Sequence, residues 1–586
     1  MRSRVAITGV GVVCSVARDA PEFREALRAG RRGFVRLGDP RLGRLRATHA
    51  GLVEGFGPVN GDPAAVRKLD RHVHLALHAM REAALSAGLP SPIGDRGGVV
   101  LGTCSGGMLS IERHYEALAR GEDPIDADLL FSKRYYTAVK VLAWAAGASG
   151  PALTVVTACA AGAGAIAEGT DLIRSGLADV VLAGGSDAFA PSTLVGFDAL
   201  KATCEGICAP FSTPVGLNLG EGAAFLVLEE LERARDRGAT VLAELLGSGL
   251  SNDAHHPTAP DPTARGQLAA MNAALHDAGI DAGRIDYINA HGTGTRANDP
   301  AECRAISRLL GERSGQVPVS STKSMIGHCL GGAGALEASA TVLACRAGFL
   351  PPTAGFAGPR EGCDLDSVPD FGRPFSGRIA LSNSFGFAGN NACLVLDLAP
   401  DNGPKGSRLP APADDPVVVT GLGAVTAAGL GVGTPLDGAG GIAPVERLPV
   451  PVEPYPAGLV PDIDPRRVDR RLDLRGFDRC SIYAALAARE AIGAAGIDAR
   501  PTTLARIGLV LGVASGPGQG EDEHLRATFE GAFELQSLGA FPYVVPNEVA
   551  GNVARALMLR GHNTVLATGR GAGLAALASA TLAVSL

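Results

Sequence analysis

The chain has 586 residues, 46% hydrophobic and 19% charged, with a formal net charge of -7. That length exceeds one ordinary domain and can bury several cores, while the mild acidity excludes nucleic-acid binding through bulk charge. Its 11 cysteines are an odd number with neither CxxC spacing nor nearby histidine partners, which excludes a readable disulfide framework or metal centre and predicts a reducing, cytoplasmic setting.

From the N-terminus, MRSRVAITGVGVV enters a strand pattern directly, with no leader segment ahead of it, and reads as mature from residue 1. Short β-branched runs then alternate with Ala-rich helical patterns: RHVHLALHAMREAALSAG, GGVVLGTCSGG, TVVTA, CAAGAGAIAEGTDLIRSG and ADVVLAGGSDA. This rhythm predicts an α/β protein with helix-covered sheets. A similar series resumes near residue 224, so residues 1–398 read as two half-domains, about 1–235 and 236–398. Residues 399–416 have the Pro, Gly and charge content of a linker.

Beyond the linker the opening phrase returns: VVVTGLGAV at 417–425 echoes VAITGVGVV at 5–13. Asp478 and Arg479 echo Asp70 and Arg71, and TVLATGRGAGLA at 564–575 echoes TVVTACAAGAGA at 154–165, with Gly569 aligned to Cys159. These anchors predict a duplicated unit over 417–586 that covers half of the first. Its closing run GAGLAALASATLAVSL is shorter than the ~20 residues needed to span a bilayer, which predicts a buried helix and no membrane partner.

Cys159 stands between a strand and a helix opening in Ala and Gly, a place where helix-end amides favour thiolate. The stretch fits a nucleophile and a buried structural cysteine equally well. His291 lies in NAHGTGTRANDPAE, and His328 lies in SSTKSMIGHCLGGAGALEA beside Lys323, one of six lysines in the chain. Either histidine alone reads as structural, but two in Gly-rich loops with a cysteine and a rare lysine point to one catalytic cleft. His72, His74 and His78 on one helix read as packing or surface residues. The arginines of 465–479 read as a solvated face, with contact to an acidic carrier as the alternative.

TACA at 157–160, HGTGT at 291–295, STKSMIGH at 321–328 and NSFGFAGNNA at 383–392 stand in the order found in a known family. Residues 1 to about 400 resemble the β-ketoacyl-acyl-carrier-protein synthases, condensing enzymes of fatty-acid and polyketide assembly. The resemblance implies a thiolase-like duplicated α-β-α-β-α layered fold followed by a partial copy of its N-terminal half. It implies decarboxylative condensation of an acyl thioester with a malonyl carrier thioester. Cys159 would be the acylated nucleophile, and His291 and His328 the pair that grips the malonyl thioester. Lys323 and Glu337 would be the supporting charge pair, and Phe385 and Phe387 the gating loop, with the amides of Cys159 and Phe387 as a second oxyanion hole. Thr293 and Thr295 would bind the pantetheine arm. No cofactor or metal is implied, because an acyl carrier protein brings the substrates on its phosphopantetheine.

One departure stands in PFSTPVGLNLGEG from Pro210, which lacks an Asp and an Arg usual before GEG and puts the local loop geometry in question. The 417–586 unit resembles the first half of the chain-length factors that pair with such enzymes, and with Gly569 for cysteine it is expected to be inactive. It is expected to dock as a surrogate dimer mate, giving a pseudo-heterodimer, with a homodimer, completion by a separate chain, or a vestigial fragment as alternatives. Other readings of the whole chain are a non-catalytic assembly or chain-length subunit, and thiolase-like chemistry using Cys329.

Overall fold

The computed structural model describes residues 3–58, 61–122, 131–400, 416–433, 442–444, 456–461, 463–470, 472–516, 518–530 and 540–585. Most of the expected linker, 401–415, lies outside the described residues. In the opening strand β1 (Val5–Cys14) all ten residues are buried, as a strand covered on both faces requires. Its two glycines set how close the covering helix α1 (Arg71–Ser86) can come. A Cβ at Gly9 or Gly11 would lie 2.3 or 1.9 Å from the carbonyl oxygens of Ala83 and Ala79.

The first half continues through β2 (Gly97–Gly102), α2 (Tyr135–Ala146), β3 (Ala152–Val155), α3 (Ala161–Arg174), β4 (Val180–Asp187) and β5 (Gly222–Glu230). The second half supplies β6 (Ala243–Asn252), β7 (Tyr287–Asn289), α4 (Asn298–Leu310), β8 (Pro318–Ser320), α5 (Ala333–Arg346), β9 (Asp366–Ser367), β10 (Ile379–Phe385) and β11 (Asn390–Asp397). The strand orders are β3-β2-β4-β5-β1 and β8-β7-β10-β11-β6, one five-strand arrangement used twice, and the two are joined where β1 and β6 pair antiparallel. The duplicated α/β architecture expected from the alternation is therefore present.

Helices α3 and α5, one from each half, are buried along nearly their whole length. Their N-terminal turns touch without room for a Cβ: one at Gly162 would be 2.7 Å from Gly331 O, and one at Gly334 would be 2.7 Å from Ala163 N. This contact is why both helices open in Ala and Gly, and it brings the residues just before each helix together.

The C-terminal unit contains α6 (Arg479–Ala494), β12 (Leu509–Gly512), α7 (Asn547–Leu557), β13 (Asn563–Leu566) and α8 (Ala572–Ser585). Strand β13 pairs antiparallel with β3, Val156 N donating to Val565 O at 2.8 Å and Ala567 N to Thr154 O at 2.9 Å, so both units share one sheet. Asp478 caps α6 through Ser481 N as Asp70 caps α1, bearing out that part of the repeat.

Three expectations are corrected. The repeat is shifted by one residue at the nucleophile turn: α8 begins 411 positions after α3, and positive φ occurs at Ala158 (50°) and Gly569 (80°). The counterpart of Cys159 is thus Arg570, and Gly569 answers to Ala158; the unit still lacks a thiol there. Residues 417–424 form no ladder, and Val418 and Val419 are 67% and 70% exposed. They keep the helix contact of β1, with Gly421 and Gly423 against the carbonyls of Ala491 and Ala487, but among the described residues no strand pairs with them. Helix α8 forms as expected yet is not buried, since Leu574 and Leu577 are 77% and 58% exposed. In the first unit α5 covers the outer face of the equivalent helix; among the described residues no helix lies over the outer face of this one, whose inner face meets β12 and α3.

No helix among the described residues is long and apolar enough to cross a membrane.

Candidate active site

Cys159 follows β3 in a single 3₁₀ turn, Ala158–Ala160, that feeds α3. Ala158 at φ 50° occupies the left-handed region, costly for a residue with a Cβ, and the turn presents the sulfur at the helix N-terminus. Gly386 packs onto it so closely that a Cβ would stand 3.1 Å from Cys159 N, and the Phe387 N–H donates to the sulfur. Burial pushes the Cys159 thiol up to about 12, against the opposing pull of Lys323 and the Phe387 amide. Burial thus opposes the preference for thiolate that the helix end supplies.

His291 and His328 face one another with ring centroids 5.3 Å apart and planes at 82°. Burial, with Lys323 close by, drives both imidazoles well below their ordinary value, so both are neutral. Their tautomers follow from their partners: Lys323 Nζ donates to His291 Nδ1 at 3.2 Å, and Leu330 N donates to His328 Nδ1 at 3.2 Å. A neutral ring whose Nδ1 accepts carries its proton on Nε2, so both rings offer an N–H donor. Lys323 spends its other donors on His291 O at 2.7 Å and on Glu337 Oε1, and both side chains of that ion pair are buried. Burial raises Glu337 to about 7.

Three carboxylates that sequence reasoning did not single out shape these loops. Glu302, raised to about 7 by burial, accepts from His291 N at 2.8 Å and Gly292 N at 2.7 Å. Asp299, three residues earlier on α4, accepts from Gly294 N at 3.0 Å and Phe211 N at 2.7 Å and pairs with Arg360 at 2.8 Å. The loop after Pro210 is thus anchored by Asp299 and Arg360, which resolves the geometry left in question by its missing Asp and Arg. Asp187 ties the His328 loop to the end of β2, accepting from Gly331 N, Cys104 N and Thr103 Oγ1 at 2.7–2.8 Å. The two carboxylates in NDPAE and the one closing a Gly-rich strand were the signals available.

A cavity of about 630 Å³ reaches Cys159, His291, His328, Phe385 and Phe387, and its walls include Thr293 and Thr295. The two threonine hydroxyls are 2.9 Å apart. Every predicted site residue thus lies on this cavity except Lys323 and Glu337, which sit behind His291. Cys329 is turned away, its sulfur 3.9 Å from the carbonyls of Ile326 and Gly327, which leaves thiolase-like chemistry without a second thiol. His72 pairs with Asp70, His74 bonds Leu69 O and His78 bonds Arg18 O, which are packing roles.

The β-ketoacyl synthase N-terminal domain model matches residues 2–234 and again 462–585, and the C-terminal domain model matches 242–357. The chain belongs to the β-ketoacyl synthase family. It is 41% identical over 404 residues to Nodulation protein E of Rhizobium sp. (strain N33), covering 68% of this chain and 99% of that protein. It is 40% identical over 407 residues to 3-oxoacyl-[acyl-carrier-protein] synthase 2 of Coxiella burnetii, covering 67% and 98%. The structure of the PfaC keto synthase-chain length factor matches the whole chain with a TM-score of 0.83, covering 72% of that protein at 20% identity, a likeness of fold alone. This β-ketoacyl synthase is a condensing acyltransferase that joins an acyl thioester to a malonyl carrier thioester with loss of CO2.

Proposed function

We propose that Cys159 takes the acyl group and that His291 and His328 stabilise the enolate formed when malonyl loses CO2. The Cys159 sulfur attacks the incoming thioester carbonyl, and the negative oxygen of that step falls to the amides of Cys159 and Phe387. The carbon–sulfur bond to the carrier then breaks, the thiol proton leaving with the carrier sulfur as free carrier thiol. Malonyl then enters beside the histidines; its C–CO2 bond breaks, the electron pair moves onto the thioester oxygen, and the two Nε2 donors meet that charge. The enolate carbon attacks the acyl-enzyme carbonyl, the bond from that carbonyl carbon to the Cys159 sulfur breaks, and the released thiolate takes up a proton from solvent to restore the thiol. The observation that carries this reading is the pair of fixed Nε2 donors, since neutral, pre-aimed N–H groups favour the charged transition state over the neutral ground state.

Thr293 and Thr295, on the cavity wall, hydrogen-bond the pantetheine arm of an acyl carrier protein, and no metal or organic cofactor takes part. The 417–586 unit serves as a built-in partner, a pseudo-heterodimer within one chain, supported by the β3–β13 pairing that continues the sheet. Eleven free cysteines favour a cytoplasmic setting. Intact-mass detection of acyl transfer to Cys159, followed by CO2 release from malonyl carrier, tests the assignment. Acylation at another residue would overturn it.

A further inference from the structure

Phe387 is held from both sides of the boundary between the units. Its N–H donates to Cys159 Sγ, while its carbonyl accepts from Asn390 Nδ2 at 3.3 Å and from Asn547 Nδ2 at 3.1 Å. Asn547 is fully buried at the start of α7, 160 positions away in the C-terminal unit. One turn on, Gly551 abuts the same loop, where a Cβ would stand 2.4 Å from Ala388 Cβ. Ala388 itself sits at φ 60°, a strained conformation that persists only where its surroundings impose it.

The other side of the boundary supplies an internal comparison. Counted 411 positions back, Asn547 answers to Tyr136, whose ring covers Gly569, the counterpart of Ala158; a Cβ on Gly569 would be 2.9 Å from that ring. The same position therefore carries an amide aimed at the loop of the working site, and a space-filling ring over the turn that lacks a thiol.

We propose that Asn547 is a positioning residue for acyl transfer at Cys159, so that the C-terminal unit aims one donor of the oxyanion hole without touching substrate. The proposal rests on the reading of Cys159 and Phe387 given above. Losing an oxyanion donor outright costs about 10²–10³ in rate. Because Asn390 still holds the Phe387 carbonyl and Pro257 O still accepts Ala388 N at 2.6 Å, the amide would be misdirected and not lost, which sets the expected loss at about tenfold.

The test compares the full chain with Asn547→Ala, with the nearly isosteric Asn547→Leu, and with Ser579→Ala, which loosens the same boundary at the Glu168 contact away from the loop. Single-turnover acylation of Cys159 from an acyl carrier thioester is read by intact mass, alongside alkylation by iodoacetamide, which needs the thiol but no oxyanion hole. Both Asn547 variants are expected to acylate about tenfold more slowly with alkylation unchanged, and Ser579→Ala to acylate at the parent rate. The proposal is overturned if Asn547→Leu acylates normally, if Ser579→Ala slows equally, or if alkylation falls in parallel with acylation. Failure of the parent chain to acylate Cys159 would instead defeat the site assignment itself.

Discussion

Lys323 Nζ donates to both Nδ1 and the carbonyl oxygen of His291, at 3.2 and 2.7 Å, so one buried cation fixes a ring and the backbone that carries it. Replacing it by methionine frees the ring to place its proton on Nδ1 and leaves Glu337 buried without its ion pair. The Lys323→Met enzyme is expected to release CO2 from malonyl carrier about 10²-fold more slowly, on the scale of one lost oxyanion donor. Acylation of Cys159, which uses other donors, should change less than tenfold. Equal loss in both half-reactions would show that Lys323 supports the fold and not the ring.

The shifted groups give the two half-reactions different pH signatures. Both imidazoles are held well below their ordinary value, so CO2 release is expected to stay flat from pH 6 to 8. Because the unfolded chain would take up protons that these buried rings refuse, they lower stability as pH falls below ~6.5. Cys159, raised to about 12, remains a thiol throughout, and its alkylation by iodoacetamide should climb about tenfold per pH unit from 7 to 9 without a plateau. A plateau below pH 9 would mean that an imidazole or the helix end activates the resting sulfur.

The residues proposed as catalytic, which line one cavity, were legible because each sits in a short motif whose residue types that chemistry demands: a thiol at a helix start, and histidines in glycine loops. The carboxylates behind them were not, because Glu302, Asp299 and Asp187 act by collecting backbone N–H groups from loops distant in sequence. The repeat was visible in VVVTGLGAV and Asp478, yet its register at the nucleophile was off by one. The positive φ shared by Ala158 and Gly569, which settles the alignment, leaves no mark on an alanine. The apolar run of α8 read as core because composition records hydrophobicity and not whether a covering layer exists.

Phe541 of the C-terminal unit packs against Phe197 and Phe387, with ring centroids at 5.3 and 6.5 Å, in the cluster that also holds Ala158. It leaves so little space that a Cβ at Gly196 would be 2.1 Å from its ring. Trimming it to leucine or alanine opens volume next to the nucleophile turn, and the products are expected to lengthen by at least one two-carbon unit. Phe541→Leu is the informative variant, since full truncation of a buried ring costs about 3–5 kcal/mol. An unchanged product profile for Phe541→Leu in a folded enzyme would exclude this ring from setting chain length.

Glu168 on α3 meets Ser579 on α8, whose hydroxyl donates to its two oxygens at 2.9 and 3.1 Å, and burial raises this carboxyl to about 7. A carboxyl whose folded value lies above its unfolded one binds a proton more readily in the folded state. Its stabilising contribution is therefore complete below ~4.5 and is lost as pH rises to about 7, beyond which the ionised group is a constant penalty. Glu168→Gln keeps the acceptor for Ser579 and removes the charge. Its advantage over the parent chain is expected to grow between pH 5 and 7 and then level off, at an order of 2–3 kcal/mol. Other buried carboxyls titrate in the same window, so the observable is the difference between variant and parent in thermal unfolding across pH 4.5–8. A difference that does not vary with pH would mean that Glu168 is ionised or solvated at the boundary, and the two helices would then not be packed as described.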